Sequence, residues 1–413
     1  MRLMNTYDVI VIGGGAAGMM AAGRAAENGQ RVLLLEKNKV LGEKLKITGG
    51  GRCNVTNAED NERLLLANYG SAEKFLYSCF AQFGVADTFN FFESRGLPLV
   101  VQASKRTFPK TEKALDVFKV LEKYLTQGGV EVRTNAKVEK IVGNAGKIEK
   151  IVVDKQDVVA KRYILATGGK SHPETGSTGD GFVWLKQLGH AVANPTPTIV
   201  PLAVSTDWVK QLAGVTLRDI KITFFTNGKK SLALKGNVLL THFGLSGPLI
   251  LNAAGKVADL LHGGEVTAEI DVHPMLDLGG LDKHITKIFD ANKNKVFKNT
   301  LKLVTPNGTA SVIVSLLNID LETKIHSITK DQRKQIGRLL KALPVAVTGL
   351  MGYDRAVITD GGVALKEVDV KTMQSKLYRN LYIVGDLLHI SRPSGGYSLQ
   401  LCWTTGFVAG SNC

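Results

Sequence analysis

The 413-residue sequence predicts an α/β chain: a parallel-sheet nucleotide-binding domain, discontinuous in sequence, with an inserted β-rich domain that carries a helical subdomain. Three observations predict it. The chain starts with a strand, a glycine-rich turn and a helix; its text turns β-rich after residue 193; and a second buried strand ending in glycine and acid stands near its end.

The apolar run from Asp8 to Ile12 is short, β-branched and bounded by glycine, as in a strand buried on both faces of a parallel sheet. In Gly13-Gly14-Gly15-Ala16-Ala17-Gly18, the spacing of Gly13, Gly15 and Gly18 is the GxGxxG fingerprint of a Rossmann-like unit. The first glycine allows the tight turn, the second lets backbone amides approach a pyrophosphate, and the third lets helix and strand pack closely. A helix rich in small residues follows, stopped at Gly29, and a second strand, Arg31 to Leu35, leads to Glu36. A carboxylate there accepts both ribose hydroxyls of an adenosine, which disfavours a 2′-phosphate and so NADP at this site.

Gly42 to Asn57 is polar and glycine-rich with no apolar period, and reads as a functional loop. Helices are expected at 72–83, 85–94 and 113–127, the last with Leu115, Phe118, Leu121 and Leu125 on one stripe. Strands are expected within 130–142 and 148–153, and a buried strand at 163–169 runs into glycine, where a ligand approaches the carboxyl end of the sheet. The nucleotide domain is therefore assigned to 1–193 and 359–413, the β-rich domain to 194–272 and 342–358, and the helical basic subdomain to 273–341.

Composition narrows the class. With 52 Lys plus Arg against 37 Asp plus Glu, the formal charge is +15, and residues 281–341 alone hold twelve basic against five acidic residues. Such an excess attracts polyanions, so RNA is a candidate partner. Cys53, Cys79, Cys402 and Cys413 show neither CxxC nor metal-ligand spacing, which fits a reducing cytoplasm, and no metal is assigned. No apolar stretch reaches membrane-spanning length, and no signal-peptide pattern opens the chain, so neither export nor a membrane partner is expected.

A carboxylate after the late strand, Asp386 in Gly385-Asp386, suits the ribityl hydroxyls of FAD, a cofactor long enough to need two separated motifs. Ser394 to Gln400 then opens the last helix with donors facing an electron-poor ring, which favours reduced, anionic flavin. Gly49, Gly50 and Gly51 let bare backbone pass against that ring, with Arg52 and Asn54 offering charge and hydrogen bonds. Cys53 is a proton donor or thiolate beside the flavin, or a small apolar filler. His242, followed by Phe243, relays protons or caps a turn, and Arg106 binds an anion or is a solvated charge.

GGGAAG at 13–18, LEK at 35–37, ITGGGRCNVTN at 47–57, RTFP at 106–109, ATGG at 166–169, TGSTGDG at 175–181, THFGLSGP at 241–248, TDGGV at 359–363, VGD at 384–386 and SGGYSLQ at 394–400 together resemble the BaiN/RdsA-type flavoproteins. That family includes an aminoacetone oxidase, a bile-acid reductase and a ribosomal RNA dihydrouridine synthase. The resemblance covers nearly the whole chain. It implies FAD contacts at Gly13, Gly15, Ala16, Ala17, Gly18, Glu36, Lys37, Lys46, Gly50, Gly51, Arg52, Cys53, Asn54, Ala166, Thr167, Gly168, Thr178, Gly179, Asp180, Gly385, Asp386, Gly395, Gly396, Tyr397, Ser398 and Leu399. Catalytic roles fall to Cys53, His242 and His389. The family commonly has Glu at the position of Asp386, Asp at that of His389 and Asn at that of Ser398, and the last two changes bear on the substrate.

The expected activity is hydride transfer between FAD and an organic substrate, either a small amine such as aminoacetone or a uracil ring in ribosomal RNA. With no second GxGxxG, NAD(P)H would bind only transiently as reductant. The alternatives are a flavin- and folate-dependent RNA methyltransferase, with Cys53 as nucleophile, and a non-catalytic RNA-binding protein stabilised by FAD.

Overall fold

The computed structural model describes residues 7–317, 319, 320 and 322–413. The chain forms two compact units. One runs to Pro197 and resumes at Ala356; the other is Thr198–Arg355.

The first unit is built on β1 (Tyr7–Ile12), α1 (Ala16–Glu27), β2 (Val32–Leu35), α2 (Ala114–Gln127), β3 (Glu131–Arg133), β4 (Ala160–Leu165), β5 (Leu381–Ile383) and α3 (Tyr397–Asn412). Its five strands lie in the order β5-β4-β1-β2-β3, all parallel, with Val9 in register with Val32 on one side and Arg162 on the other. Val9, Ile10, Val11, Leu33 and Leu34 are fully buried, as continuous apolar strands covered on both faces must be.

Small residues bring α1 and α3 together. A Cβ at Gly406 would sit 2.4 Å from the carbonyl oxygen of Ala17, and one at Gly410 would sit 2.4 Å from that of Ala21. The two glycines are one helical turn apart and share a face. On the other flank Gly23 makes room for the Tyr124 ring of α2, 2.3 Å from where a Cβ would stand.

Two local expectations need correction. Within 42–57 the chain forms a short helix, Glu43–Ile47, and a strand, Thr56–Asn57, that pairs with Arg106–Pro109. Leu45 is buried there, one apolar anchor being too sparse a pattern to show as a period. The stripe of α2 is rotated: Ala114, Val117, Phe118, Leu121, Tyr124 and Leu125 are buried, and Leu115 is 46% exposed.

His190 fixes a distant join in this unit. The imidazole is enclosed between the Glu367 carboxylate, 3.0 Å from Nδ1, and the Ser375 hydroxyl, 3.1 Å from Nε2. Burial pulls its pKa below the ordinary value, outweighing the raising effect of Glu367. The folded chain thus holds His190 neutral where the unfolded chain takes up a proton. Its stabilising contribution is complete above the ordinary histidine pKa and is lost as pH falls from there through the lowered folded value. Unfolding free energy measured in urea should therefore drop below pH ~6.5, by up to about 1.4 kcal/mol per pH unit. His190→Gln should flatten that slope between pH 7.5 and 5.5; an unchanged slope would assign it to other groups.

The second unit is a closed antiparallel barrel with strand order Leu202–Val204, Gly244–Ser246, Lys229–Leu240, Thr216–Thr226, Val266–Asp271 and Leu343–Leu350. Its long hairpin turns at Asn227-Gly228, where both φ angles are positive, as a two-residue turn matched to strand twist requires. Leu217, Ile220, Ile222 and Phe224 point inward. Helices Leu278–Asp290, Phe297–Leu301, Ala310–Leu317 and Lys330–Lys341 share one apolar core with the barrel through residues such as Ile285, Phe297, Ile313 and Ile336. Among the described residues no helix is long and apolar enough to cross a membrane.

Candidate cofactor site

The turn after β1 is shaped by steric necessity. Gly13 has φ +108°, and a Cβ there would lie 2.5 Å from the carbonyl oxygen of Ala166, just past β4. A Cβ on Gly18 would lie 1.9 Å from the carbonyl oxygen of Gly13. A Cβ on Gly15, at the N-terminus of α1, would meet nothing within 4 Å. The chain thus excludes side chains where backbone meets backbone, and leaves open the face from which a pyrophosphate would approach the helix dipole.

Glu36, buried at the end of β2, closes this turn. Its Oε2 accepts from the Gly14 amide at 2.8 Å and its Oε1 from the Asn38 amide at 2.8 Å. Each oxygen keeps a lone pair for a ribose hydroxyl. Glu36→Ala should weaken FAD binding by about 1.5–3 kcal/mol, the range for a hydrogen bond to a charged group. Retention of full flavin after dialysis would remove Glu36 from the ribose role.

Lys37, Thr178 and Asp180 satisfy one another: the Lys37 ammonium lies 2.8 Å from Asp180, and the Thr178 hydroxyl donates to the same carboxylate oxygen at 2.8 Å. Burial raises the Asp180 pKa, but these two hydrogen bonds lower it further, and the net shift is downward. Gly179 (φ +85°) turns the chain into helix Asp180–Gln187. After β4, Ala166 packs under Gly13, Gly168 is left-handed, and the buried Thr167 hydroxyl has no partner among the described residues.

In the loop with three glycines, the polar side chains reach neighbouring elements. The Arg52 guanidinium pairs with Glu112 at 2.6 Å, donates to Gln102 at 2.8 Å and stacks on Phe108. Asn54 accepts from the Thr107 amide at 3.1 Å, and the Lys46 ammonium sits 3.7 Å above the centre of the Phe118 ring. Arg52 and Asn54 thereby anchor the loop to its neighbours, while the buried Arg52 Nε has no hydrogen-bond partner among the described residues. What faces outward is backbone, since a Cβ on Gly50 or Gly51 would meet nothing within 4 Å. Cys53 is fully enclosed, and burial pushes its thiol far up. Arg106 donates from Nε to the Ala103 carbonyl at 3.2 Å.

After β5, Gly385 is left-handed and Asp386 follows. One oxygen of Asp386 is bound by Arg392, a residue that sequence reasoning missed. Arg392 is 4% exposed; its Nε donates to the Ser398 hydroxyl at 3.0 Å and another nitrogen donates to the Ile390 carbonyl at 2.8 Å. It therefore joins the expected ribityl acceptor to the start of α3. Gly396 (φ +105°) lets the chain pass Thr56, whose carbonyl carbon lies 2.3 Å from where a Cβ would stand; beyond it the Tyr397 carbonyl accepts from Tyr69, and Leu399 is buried. Lys44, also missed, donates to the Ser171 hydroxyl at 3.0 Å. His389 is exposed, 3.8 Å from Asp360. His242 lies in the barrel unit, exposed, with its ring 4.8 Å from that of Phe243.

A family model described as the HI0933-like protein Rossmann domain matches residues 7–412. The chain belongs to this family. Relatives along its length include the 3-dehydro-bile acid delta(4,6)-reductase of Clostridium scindens, 29% identical over 97% of each chain. The ribosomal RNA dihydrouridine synthase of Escherichia coli is 27% identical over 98% of this chain and 97% of that one. In fold the chain is similar to a 3-ketosteroid-delta4-(5alpha)-dehydrogenase from Rhodococcus jostii, with TM-score 0.56, 17% identity and coverage of 100% and 98%. As a member of the HI0933-like family the chain is an FAD-dependent oxidoreductase.

Proposed function

We propose that this oxidoreductase reduces a carbon–carbon double bond conjugated to a carbonyl group. The observation that carries the cofactor assignment is the set of open glycine faces at Gly15, Gly50 and Gly51, beside turns whose other glycines are closed by backbone. At these three positions the backbone is open to an approaching ligand. The direction of the reaction is supported by the two full-length relatives, named as a delta(4,6)-reductase and a dihydrouridine synthase.

When bound, FAD supplies the two-electron hydride chemistry. Gly13 to Gly18 and the α1 dipole would hold the pyrophosphate, Glu36 would hold the ribose, and the Asp386 oxygen not bound by Arg392 would accept from the ribityl chain. The substrate carbon next to the one that receives hydride needs a proton. His389, exposed and 3.8 Å from Asp360, is the proposed donor. Cys53 is left out of this role because its thiol is enclosed on all sides. NADH or NADPH is the proposed transient reductant.

The basic helices supply the argument for RNA as substrate, but part of their charge is already neutralised. Arg333 binds both oxygens of Asp282 at 2.8 and 3.2 Å, and Lys298 pairs with Glu322. The deciding experiment is anaerobic reduction of the flavin by NADH or NADPH, followed by mixing with a conjugated steroid enone, a uridine-containing ribosomal RNA fragment or aminoacetone. The enone or the RNA should restore the oxidised spectrum. In a parallel anaerobic sample left oxidised, bleaching of the flavin by aminoacetone, with recovery only on adding oxygen, would overturn the reductive direction.

A further inference from the structure

The surroundings of Asp386 hold more positive than negative charge. Arg392 and Lys44 contribute two cations, and Asp386 is the carboxylate that Arg392 engages. Glu174, the other carboxylate whose field reaches Lys44, is exposed and already 2.8 Å from Nδ1 of His172. Every nitrogen of the Arg392 guanidinium has a partner in Asp386, Ser398 or Ile390. Lys44 differs. Its ammonium has three hydrogens to donate, one taken by the Ser171 hydroxyl, and among the described residues no carboxylate lies within ion-pair distance of it.

Lys44 is half-buried, and burial lowers its pKa while the Asp386 carboxylate acts in the opposite sense. Such a group is completed by an anion. Ser171 and Asp386 follow β4 and β5, at the carboxyl edge of the parallel sheet where ligands of such sheets bind. The Gly13 to Gly18 turn is the proposed seat of the pyrophosphate, whereas Lys44 is tied through Ser171 to the segment after β4. There a Cβ on Gly169 would lie 3.5 Å from that of Asp386, and Arg392 joins Asp386 to Ser398 at the start of α3.

We propose that Lys44 seats the negative charge that FAD gains on reduction, with Arg392 as the positioning residue that holds Asp386 and Ser398 around the same place. The proposal rests on the FAD reading above. Two electrons and one proton added to the oxidised ring leave it with one negative charge. That charge balances a cluster that otherwise holds two cations against one carboxylate. A nearby cation in a poorly solvated site favours this form strongly.

Sulfite is a suitable probe in the holoprotein, because it adds to the oxidised ring and leaves it anionic without turnover. In Lys44→Met the sulfite Kd should rise at least tenfold and the flavin midpoint potential should fall, while the FAD Kd stays within threefold of the parent value. Lys44→Arg should restore most of the sulfite affinity. Lys44→Gln, which keeps a polar donor and removes the charge, gives the same reading if the methionine variant is insoluble. Parent-like sulfite affinity in Lys44→Met or Lys44→Gln would overturn the proposal, as would loss of FAD with unaltered sulfite affinity in the retained fraction, which would make Lys44 a pyrophosphate ligand. A wild-type protein that binds no FAD would instead overturn the cofactor reading itself.

Discussion

Gly18→Ala should be colourless as purified and less stable than the parent by about 1–3 kcal/mol, the usual cost of forcing a methyl group into a packed region. The reason is geometric. The new Cβ would stand 1.9 Å from the carbonyl oxygen of Gly13 and 3.3 Å from the Ala166 side chain. The first neighbour is backbone and cannot swing away, so the turn must move off α1. Once it moves, the amide of Gly14 is pulled from Glu36, and both ends of the nucleotide seat are lost together. Flavin absorbance and urea unfolding of the purified variant report the two effects. A yellow protein of parent stability would mean that the turn is looser than this packing allows.

Gly15→Val separates binding from folding. The backbone at Gly15 is extended, with φ −84° and ψ −170°, a conformation any residue adopts, and a Cβ there meets nothing within 4 Å. The apoprotein should therefore unfold at the parent urea concentration or slightly above it, because replacing glycine restricts the unfolded chain, an effect of about 0.4–1 kcal/mol. FAD affinity should nevertheless fall by roughly 100-fold or more, about 2.7 kcal/mol, since the side chain takes the space of the pyrophosphate. Equal FAD affinity in variant and parent would move the nucleotide away from this turn.

How much of this was legible in the sequence depended on whether a feature is local. The strand, turn and helix from Tyr7 to Glu27 write themselves in consecutive residues: an apolar run, three glycines at fixed spacing, a small-residue helix. Glu36 follows from position alone. The phase of α2 was harder, because Ala114 and Leu115 both fit a stripe through Phe118, and packing rather than hydrophobicity buries the smaller one. Closure of the barrel was not legible. The strand Leu202–Val204 is three residues long, and it pairs with Gly244–Ser246 on one side and Leu343–Leu350 on the other. Periodicity identifies strands, but it does not name partners that distant in sequence. The same limit hid Arg392 and Lys44, whose meaning lies in the groups they meet. It also hid the partner of Arg52, since Glu112, sixty residues on, is not visible beside it in the sequence.

The central claim is that the adenosine half of FAD is gripped by Gly13 to Gly18 and Glu36. It is tested most directly by equilibrium titration of the apoprotein with FAD and, separately, with FMN, which carries the same ring without the adenosine half. FAD should bind one per chain and at least 100-fold more tightly than FMN. Equal affinity for the two would contradict the account, because the turn and the carboxylate would then contribute nothing to holding the cofactor.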